Sequence, residues 1–120
     1  MVFGGFASTE LANRIDDSKA KIVISASCGY EPGRTVEYKP LLNKAIEIAK
    51  HKPERCIIFQ RKNFKANLDS KLDIDWEDTL KNAKPAECEK MRGSDYAYIL
   101  YTSGTTGLPK GIVRDIAGHI

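Results

Sequence analysis

Lys21-Ile22-Val23-Ile24-Ser25-Ala26 is a β-branched run without polar alternation. Its length and pattern are those of a strand buried on both faces, as in a parallel sheet. The exit, Ser27-Cys28-Gly29-Tyr30-Glu31-Pro32-Gly33-Arg34, holds two glycines and a proline. It reads as a loop at the carboxyl end of the strand, where open α/β sheets place their ligands. Downstream, Leu41, Leu42, Ala45, Ile46, Ile48 and Ala49 fall in an arc of roughly 160° at ~100° per residue, which predicts a helix from Pro40 to His51. Lys52-Pro53 ends it, and Arg55-Cys56-Ile57-Ile58-Phe59-Gln60 reads as a second strand. Upstream, Ser8 is the expected N-cap of a short helix with Glu10 in its first turn and Ala7, Leu11 and Ile15 on one face. The order α, β, α, β predicts βαβ units, hence an α/β fold with a mostly parallel sheet and flanking helices.

From Arg61 to Asp73 periodicity fails, and the polar, mixed-charge stretch Arg61 to Lys71 reads as a surface excursion to which no function is assigned. Asp75 is the expected cap of a helix carrying Trp76, Leu80 and Ala83, with Trp76 as a core anchor. A loop over Pro85 to Asp95 then leads into a strand from Tyr96 to Tyr101. Ile112-Val113-Arg114 reads as another short strand and Ala117-Gly118-His119-Ile120 as the start of a helix.

At 120 residues the chain suits one domain or part of one. Charged residues make up 29% and hydrophobic ones 42%, which excludes the apolar-poor composition of a disordered segment. The net charge of +3 comes from nineteen basic and sixteen acidic side chains scattered along the sequence, without the patch that nucleic-acid binding requires. Cys28, Cys56 and Cys88 form no CxxC pair and have no histidine at ligand spacing, so they read as reduced structural thiols and no metal site is expected. His51 and His119 read as surface or cap residues. No apolar run approaches the ~20 residues of a membrane span, and no signal-peptide pattern opens the chain.

Chemistry concentrates in Tyr101-Thr102-Ser103-Gly104-Thr105-Thr106-Gly107-Leu108-Pro109-Lys110-Gly111, directly after the apolar run 98–101. Glycines let the backbone approach a ligand so that successive N–H groups converge on anionic oxygens. Thr102, Ser103, Thr105 and Thr106 can donate to phosphoryl oxygens or reach a bound Mg²⁺, and Lys110 supplies charge for a triphosphate. The string is not a Walker loop: Pro109 stands where the second glycine of G-x-x-x-x-G-K-[ST] would be, and Gly111 follows the lysine. On composition alone an ordinary Ser/Thr/Gly surface loop is the competing reading.

The full string resembles the phosphate-loop signature of the adenylate-forming enzymes. Phe3-Gly4-Gly5-Phe6, Glu31-Pro32-Gly33-Arg34, Asp73-Ile74-Asp75-Trp76 and the stretch 98–107 stand in the order seen in short-chain acyl-CoA synthetases, the propionyl-CoA synthetases most closely. Where acetyl-CoA synthetases usually have arginine, serine and lysine, this chain has Glu31, Thr105 and Leu108.

The resemblance implies an AMP-forming acid–thiol ligase that uses Mg-ATP and coenzyme A on a short-chain carboxylate, propionate being favoured over acetate or butyrate. It implies that Thr102, Ser103, Gly104, Thr105, Thr106 and Gly107 hold the ATP phosphates and that Lys110 is catalytic. Glu31, Pro32, Gly33 and Arg34 form the coenzyme A turn, with Arg34 at its 3′-phosphate end. Expected partners are these small molecules, with no nucleic acid and no membrane. Location follows as the mitochondrial matrix in a eukaryote and the cytoplasm otherwise. On this reading residues 1–120 are part of the large N-terminal AMP-binding domain, truncated just after the phosphate loop and inactive alone. The alternative is a non-catalytic α/β module that binds a nucleotide or phosphate through its glycine loop.

Overall fold

The computed structural model describes residues 7–102 and 107–119. Phe3-Gly4-Gly5-Phe6 and the loop residues Ser103, Gly104, Thr105 and Thr106 lie outside them. The described chain forms two compact units that divide after Lys84.

In the first unit, helix α1 (Ser8–Ser18) is capped by Ala7, whose carbonyl accepts from the N–H groups of Glu10 and Leu11. The predicted cap, Ser8, is instead the first helical residue. At the other end Lys19 turns left-handed (φ 51°), so the acidic tail Asp16-Asp17-Ser18 remains helical up to a conformational stop. Strand β1 (Ile22–Ala26) runs parallel to β4 (Arg55–Phe59), with Ile24 opposite Ile57. A strand missing from the sequence reading, β5 (Asp73–Asp75), pairs parallel to β4 on its other side, giving the order β1-β4-β5. Its short polar sequence hides it, since Asp73 and Asp75 carry no strand signal.

Between β1 and β4 lie the antiparallel hairpin β2 (Cys28–Glu31) and β3 (Arg34–Glu37) and helix α2 (Tyr38–Ile48). The expected loop of residues 27–34 is therefore the first half of a hairpin. The helix starts two residues before Pro40, which sits in the first turn, where proline's missing N–H is tolerated. It ends three residues before His51, where Lys52 Nζ donates to the carbonyls of Ile46, Glu47 and Ala49 at 2.5, 3.2 and 2.6 Å. That ammonium satisfies the orphan acceptors of the last turn.

Helices α1 and α2 pack Ala12 and Ile15 against Ala45 and Ala49, with Leu11, Val23 and Ile46 around them. Beneath lies a second cluster of Leu42, Cys56 and Ile58, flanked by Leu68 and Leu72. Leu42 and Ile58 are fully buried, each worth about 1.5–3 kcal/mol of burial. Only one face of the sheet is covered in this way. Residues of opposite parity point away, leaving Ile22 54% and Ile24 63% exposed and Phe59 44% exposed. The expectation of a strand buried on both faces is thus half met among the described residues. Trp76, expected in the core, lies on the open side in an edge-to-face contact with Phe59 (6.4 Å, 86°). It opens the short helix α3 (Trp76–Leu80), capped as expected by Asp75, whose side chain accepts from Glu77 N–H at 3.0 Å. The helix stops before Ala83.

The second unit holds β6 (Tyr96–Thr102) and β7 (Lys110–Asp115), paired antiparallel, followed by a 3-10 turn over Ala117–His119. The strand predicted to feed the phosphate loop is present. It belongs to a strand–loop–strand hairpin, not to the parallel sheet, because the chain returns along β6 through Ile112-Val113-Arg114.

Candidate functional site

The hairpin β6–β7 fixes the mouth of the glycine loop. Thr102 is directly opposite Lys110, and Tyr101 opposite Gly111. Both flanking side chains named from the sequence, the Thr102 hydroxyl and the Lys110 ammonium, therefore stand at facing positions where the loop begins and ends. Gly107 has φ +84°, a conformation that strains any L side chain. Among the described residues nothing lies within 4 Å of where its Cβ would be, so the need for glycine there is conformational. Lys110 and Leu108 are exposed. A hydroxyl and an exposed ammonium suit a charged phosphate better than a neutral ligand. Ser103, Gly104, Thr105 and Thr106 lie outside the described residues.

The second candidate site is the tip of β2–β3. Pro32 and Gly33 (φ +79°) occupy the two central turn positions, as a type II turn requires of its second and third residues. Glu31 and Arg34 flank the turn as a paired couple. Arg34 donates through Nε at 2.7 Å and stands with a terminal nitrogen 2.6 Å from the same carboxylate oxygen. Both side chains are exposed, at 70% for Arg34 and 42% for Glu31. Exposed pairs of this kind are worth about 0.2–1 kcal/mol, so an incoming anion can compete for the arginine.

The hairpin is held at its base by groups that the sequence reading passed over. Ser27, fully buried, accepts from Arg61 N–H at 2.9 Å and donates to the Phe64 carbonyl at 2.7 Å. Its own N–H donates to Phe59 O, and its carbonyl accepts from Tyr38 N–H. Gly29 lies under the Tyr38 ring: a Cβ there would stand 1.9 Å from the Tyr38 hydroxyl, so any other residue requires that ring to shift.

On the covered side of the sheet Lys39 and Asp73 form a buried ion pair at 2.8 Å, with side chains 5% and 0% exposed. Lys39 also donates to Asn43. The same Asp73 oxygen accepts from Asp69 N–H at 2.7 Å, while Oδ1 has no hydrogen-bond partner among the described residues. Burial, and then the Asp73 carboxylate, push the neighbouring Cys56 thiol up to about 11. Cys28 is likewise buried and Cys88 exposed. His51 acts as an end-cap, its ring Nε2 3.0 Å from Ala20 O and its N–H on the Asp16 carboxylate at 2.7 Å.

Among the described residues no group of three or more His, Cys, Asp or Glu is placed to hold a metal ion, and no helix is long and apolar enough to cross a membrane.

The family described as AMP-binding enzyme matches residues 1–119. The chain is 52% identical over 120 residues to acyl-CoA synthetase short-chain family member 3, mitochondrial, of Rattus norvegicus, covering 99% of this chain and 18% of the relative. It is 53% identical to an uncharacterized protein of Pseudomonas aeruginosa over 119 residues, covering 99% and 19%. Acetyl-coenzyme A synthetase of Pasteurella multocida is 38% identical over 122 residues, covering 100% and 18%. The chain thus spans just under a fifth of the length of these relatives.

Proposed function

Because the chain belongs to the AMP-binding enzyme family, we propose that it supplies the phosphate loop and the coenzyme A turn of a short-chain acyl-CoA ligase. The observation that carries this is the pairing of Thr102 with Lys110 across the mouth of the glycine loop. It is supported by the likeness to relatives named as short-chain acyl-CoA and acetyl-coenzyme A synthetases. Residues 1–120 then lie in the large N-terminal domain of a longer enzyme and are inactive by themselves.

In the proposed reaction a carboxylate oxygen attacks the α-phosphorus of Mg-ATP. The α–β phosphoanhydride bond breaks and pyrophosphate leaves. The coenzyme A thiol next loses its proton and attacks the acyl carbon, and AMP departs with the bonding pair. Magnesium supplies charge neutralisation on the phosphates. This chain's part is positioning and electrostatics: the backbone of residues 103–107 and the Thr102, Ser103, Thr105 and Thr106 hydroxyls donate to phosphate oxygens. Lys110 meets the charge that gathers on the departing pyrophosphate. The Glu31–Arg34 turn receives the 3′-phosphate end of coenzyme A. Propionate is the proposed acid, ahead of acetate and butyrate, and the mitochondrial matrix the proposed location in a eukaryote.

The test uses a protein of the relatives' length that carries this chain, assayed for AMP and acyl-CoA release with propionate, acetate and butyrate. Highest kcat/KM with propionate supports the proposal. ATP binding without carboxylate-dependent AMP release would favour the non-catalytic module.

A further inference from the structure

Residues 60–66 lack periodicity, yet they form a closed loop at the carboxyl end of β4. The Gln60 amide donates to the Ala66 carbonyl and accepts from its N–H, each at 2.9 Å. Arg61 and Phe64 bridge across the loop. Ala66 is buried and Leu68 packs against the Leu42, Cys56 and Ile58 cluster, so the chain returns directly to the core. The loop is a firm support, and the hairpin β2–β3 meets it at two places.

The first is Ser27, at the root of the hairpin. Its fully buried hydroxyl accepts from Arg61 N–H at 2.9 Å and donates to Phe64 O at 2.7 Å, two roles that no apolar side chain fills. The Ser27 backbone donates to Phe59 O at the end of β4 and accepts from Tyr38 N–H, directly after β3. Both strands of the hairpin are thus clamped where they leave the sheet. The second place is higher up, where the Arg61 guanidinium lies 5.0 Å from the centre of the Tyr30 ring. The tip is held differently: residues 31–35 are exposed, and Glu31 and Arg34 bond to one another.

This makes the hairpin a short lever. From Cys28 to Glu31 it extends roughly 10 Å at ~3.4 Å per residue, so a tilt of about 6° at the root carries the tip by ~1 Å. A misplacement of ~1 Å by a distant change can cost a bound group up to about a hundredfold. Resting on the ligase reading above, in which the Glu31–Arg34 turn meets coenzyme A, we propose that Ser27 is a positioning residue for the thiol-transfer half-reaction. By bonding the loop after β4 to the root of the hairpin, its hydroxyl sets where the turn stands. Ser27 acts through Arg34, and the Arg61–Tyr30 contact steadies the same lever.

The test compares variants of a protein of the relatives' length that carries this chain, with coenzyme A and dephospho-coenzyme A as thiol substrates. Ser27→Ala should raise the KM for coenzyme A about three- to tenfold, with kcat and carboxylate-dependent pyrophosphate exchange unchanged. The KM for dephospho-coenzyme A should stay at its wild-type value, a selectivity that a general loss of stability would not produce. Ser27→Cys, whose thiol is a weaker donor and acceptor, should fall between. Arg34→Ala should raise the KM for coenzyme A at least as far, and adding Ser27→Ala to it should change nothing more, since a residue acting through Arg34 is silent without it. If Arg34→Ala raises the KM but Ser27→Ala does not, or if Ser27→Ala lowers exchange and thiol transfer alike, the inference is overturned and the ligase reading stands. If neither variant changes the KM, the turn does not meet coenzyme A, and that part of the ligase reading falls with the inference. Failure of both Ser27→Ala and Ser27→Cys to fold makes the role of Ser27 structural alone and overturns the inference.

Discussion

Removing the Lys39 charge is the most demanding test of how the first unit is built. Lys39 on α2 and Asp73 on β5 meet at 2.8 Å with almost no exposure, so each offsets the other's lost hydration. In Lys39→Met the stem is kept, but Asp73 is left without its counter-charge beside Cys56, with Asp69 N–H as its remaining donor among the described residues. Breaking a buried pair from one side costs about 3–5 kcal/mol, a large part of the ~5–15 kcal/mol that holds a small domain folded. Asp73→Asn should cost less, because the amide oxygen can still accept from Asp69 N–H while no carboxylate is stranded. The double variant Lys39→Met/Asp73→Asn should be more stable than Lys39→Met alone, since the second change removes the charge that the first left unpaired. Urea denaturation followed by Trp76 fluorescence gives all four midpoints. A loss below about 1 kcal/mol in Lys39→Met, or a double variant less stable than it, would refute the buried-pair account.

Glu31→Ala should tighten coenzyme A binding by no more than about fivefold, the equivalent of the ~1 kcal/mol upper value of an exposed pair; weaker binding in calorimetry would mean that Glu31 shapes the turn. Cys56, raised to about 11 by burial and Asp73, contributes stability that is fully present below its ordinary value of 9 and is lost as pH rises from there through 11. Urea midpoints should fall over that interval and fall less in Cys56→Ala. Asp16 is held below its ordinary value by the backbone N–H groups of His51 and Lys50. Its contribution is present above pH ~4 and lost as pH falls through the folded-state value, so Asp16→Asn should flatten the acid limb of thermal unfolding.

Where local pattern and tertiary packing agree, the sequence was legible. The runs 21–26 and 55–60 are parallel neighbours, and Leu42, Ala45 and Ala49 turn the predicted helical face into the core. The Pro32-Gly33 pair sits in the turn its chemistry implies. Elements whose cause is non-local were illegible. β5 exists because β4 offers an edge and Lys39 offers a charge, neither of which is visible in Asp73-Ile74-Asp75. The role of Ser27 depends on residues 59–64, over thirty positions away. For the site, Thr102, Lys110, Gly33 and Arg34 were identifiable as residues, but the hairpin joining Thr102 to Lys110 was not, because periodicity gives no strand direction. The contact of Arg61 with the Tyr30 ring was likewise illegible, since the two residues lie far apart in sequence.

The central claim, that the loop after β6 handles the phosphates of an adenylating enzyme, is tested most directly by carboxylate-dependent exchange of pyrophosphate into ATP, without coenzyme A. The assay uses a protein of the relatives' length that carries this chain, beside its Lys110→Ala variant. Exchange that requires a short-chain acid and drops about ten- to a hundredfold in the variant is predicted, from a charge-assisted phosphate contact of roughly 1.5–3 kcal/mol realised in the transition state. Exchange at the wild-type rate in Lys110→Ala, or none with any carboxylate, would contradict it.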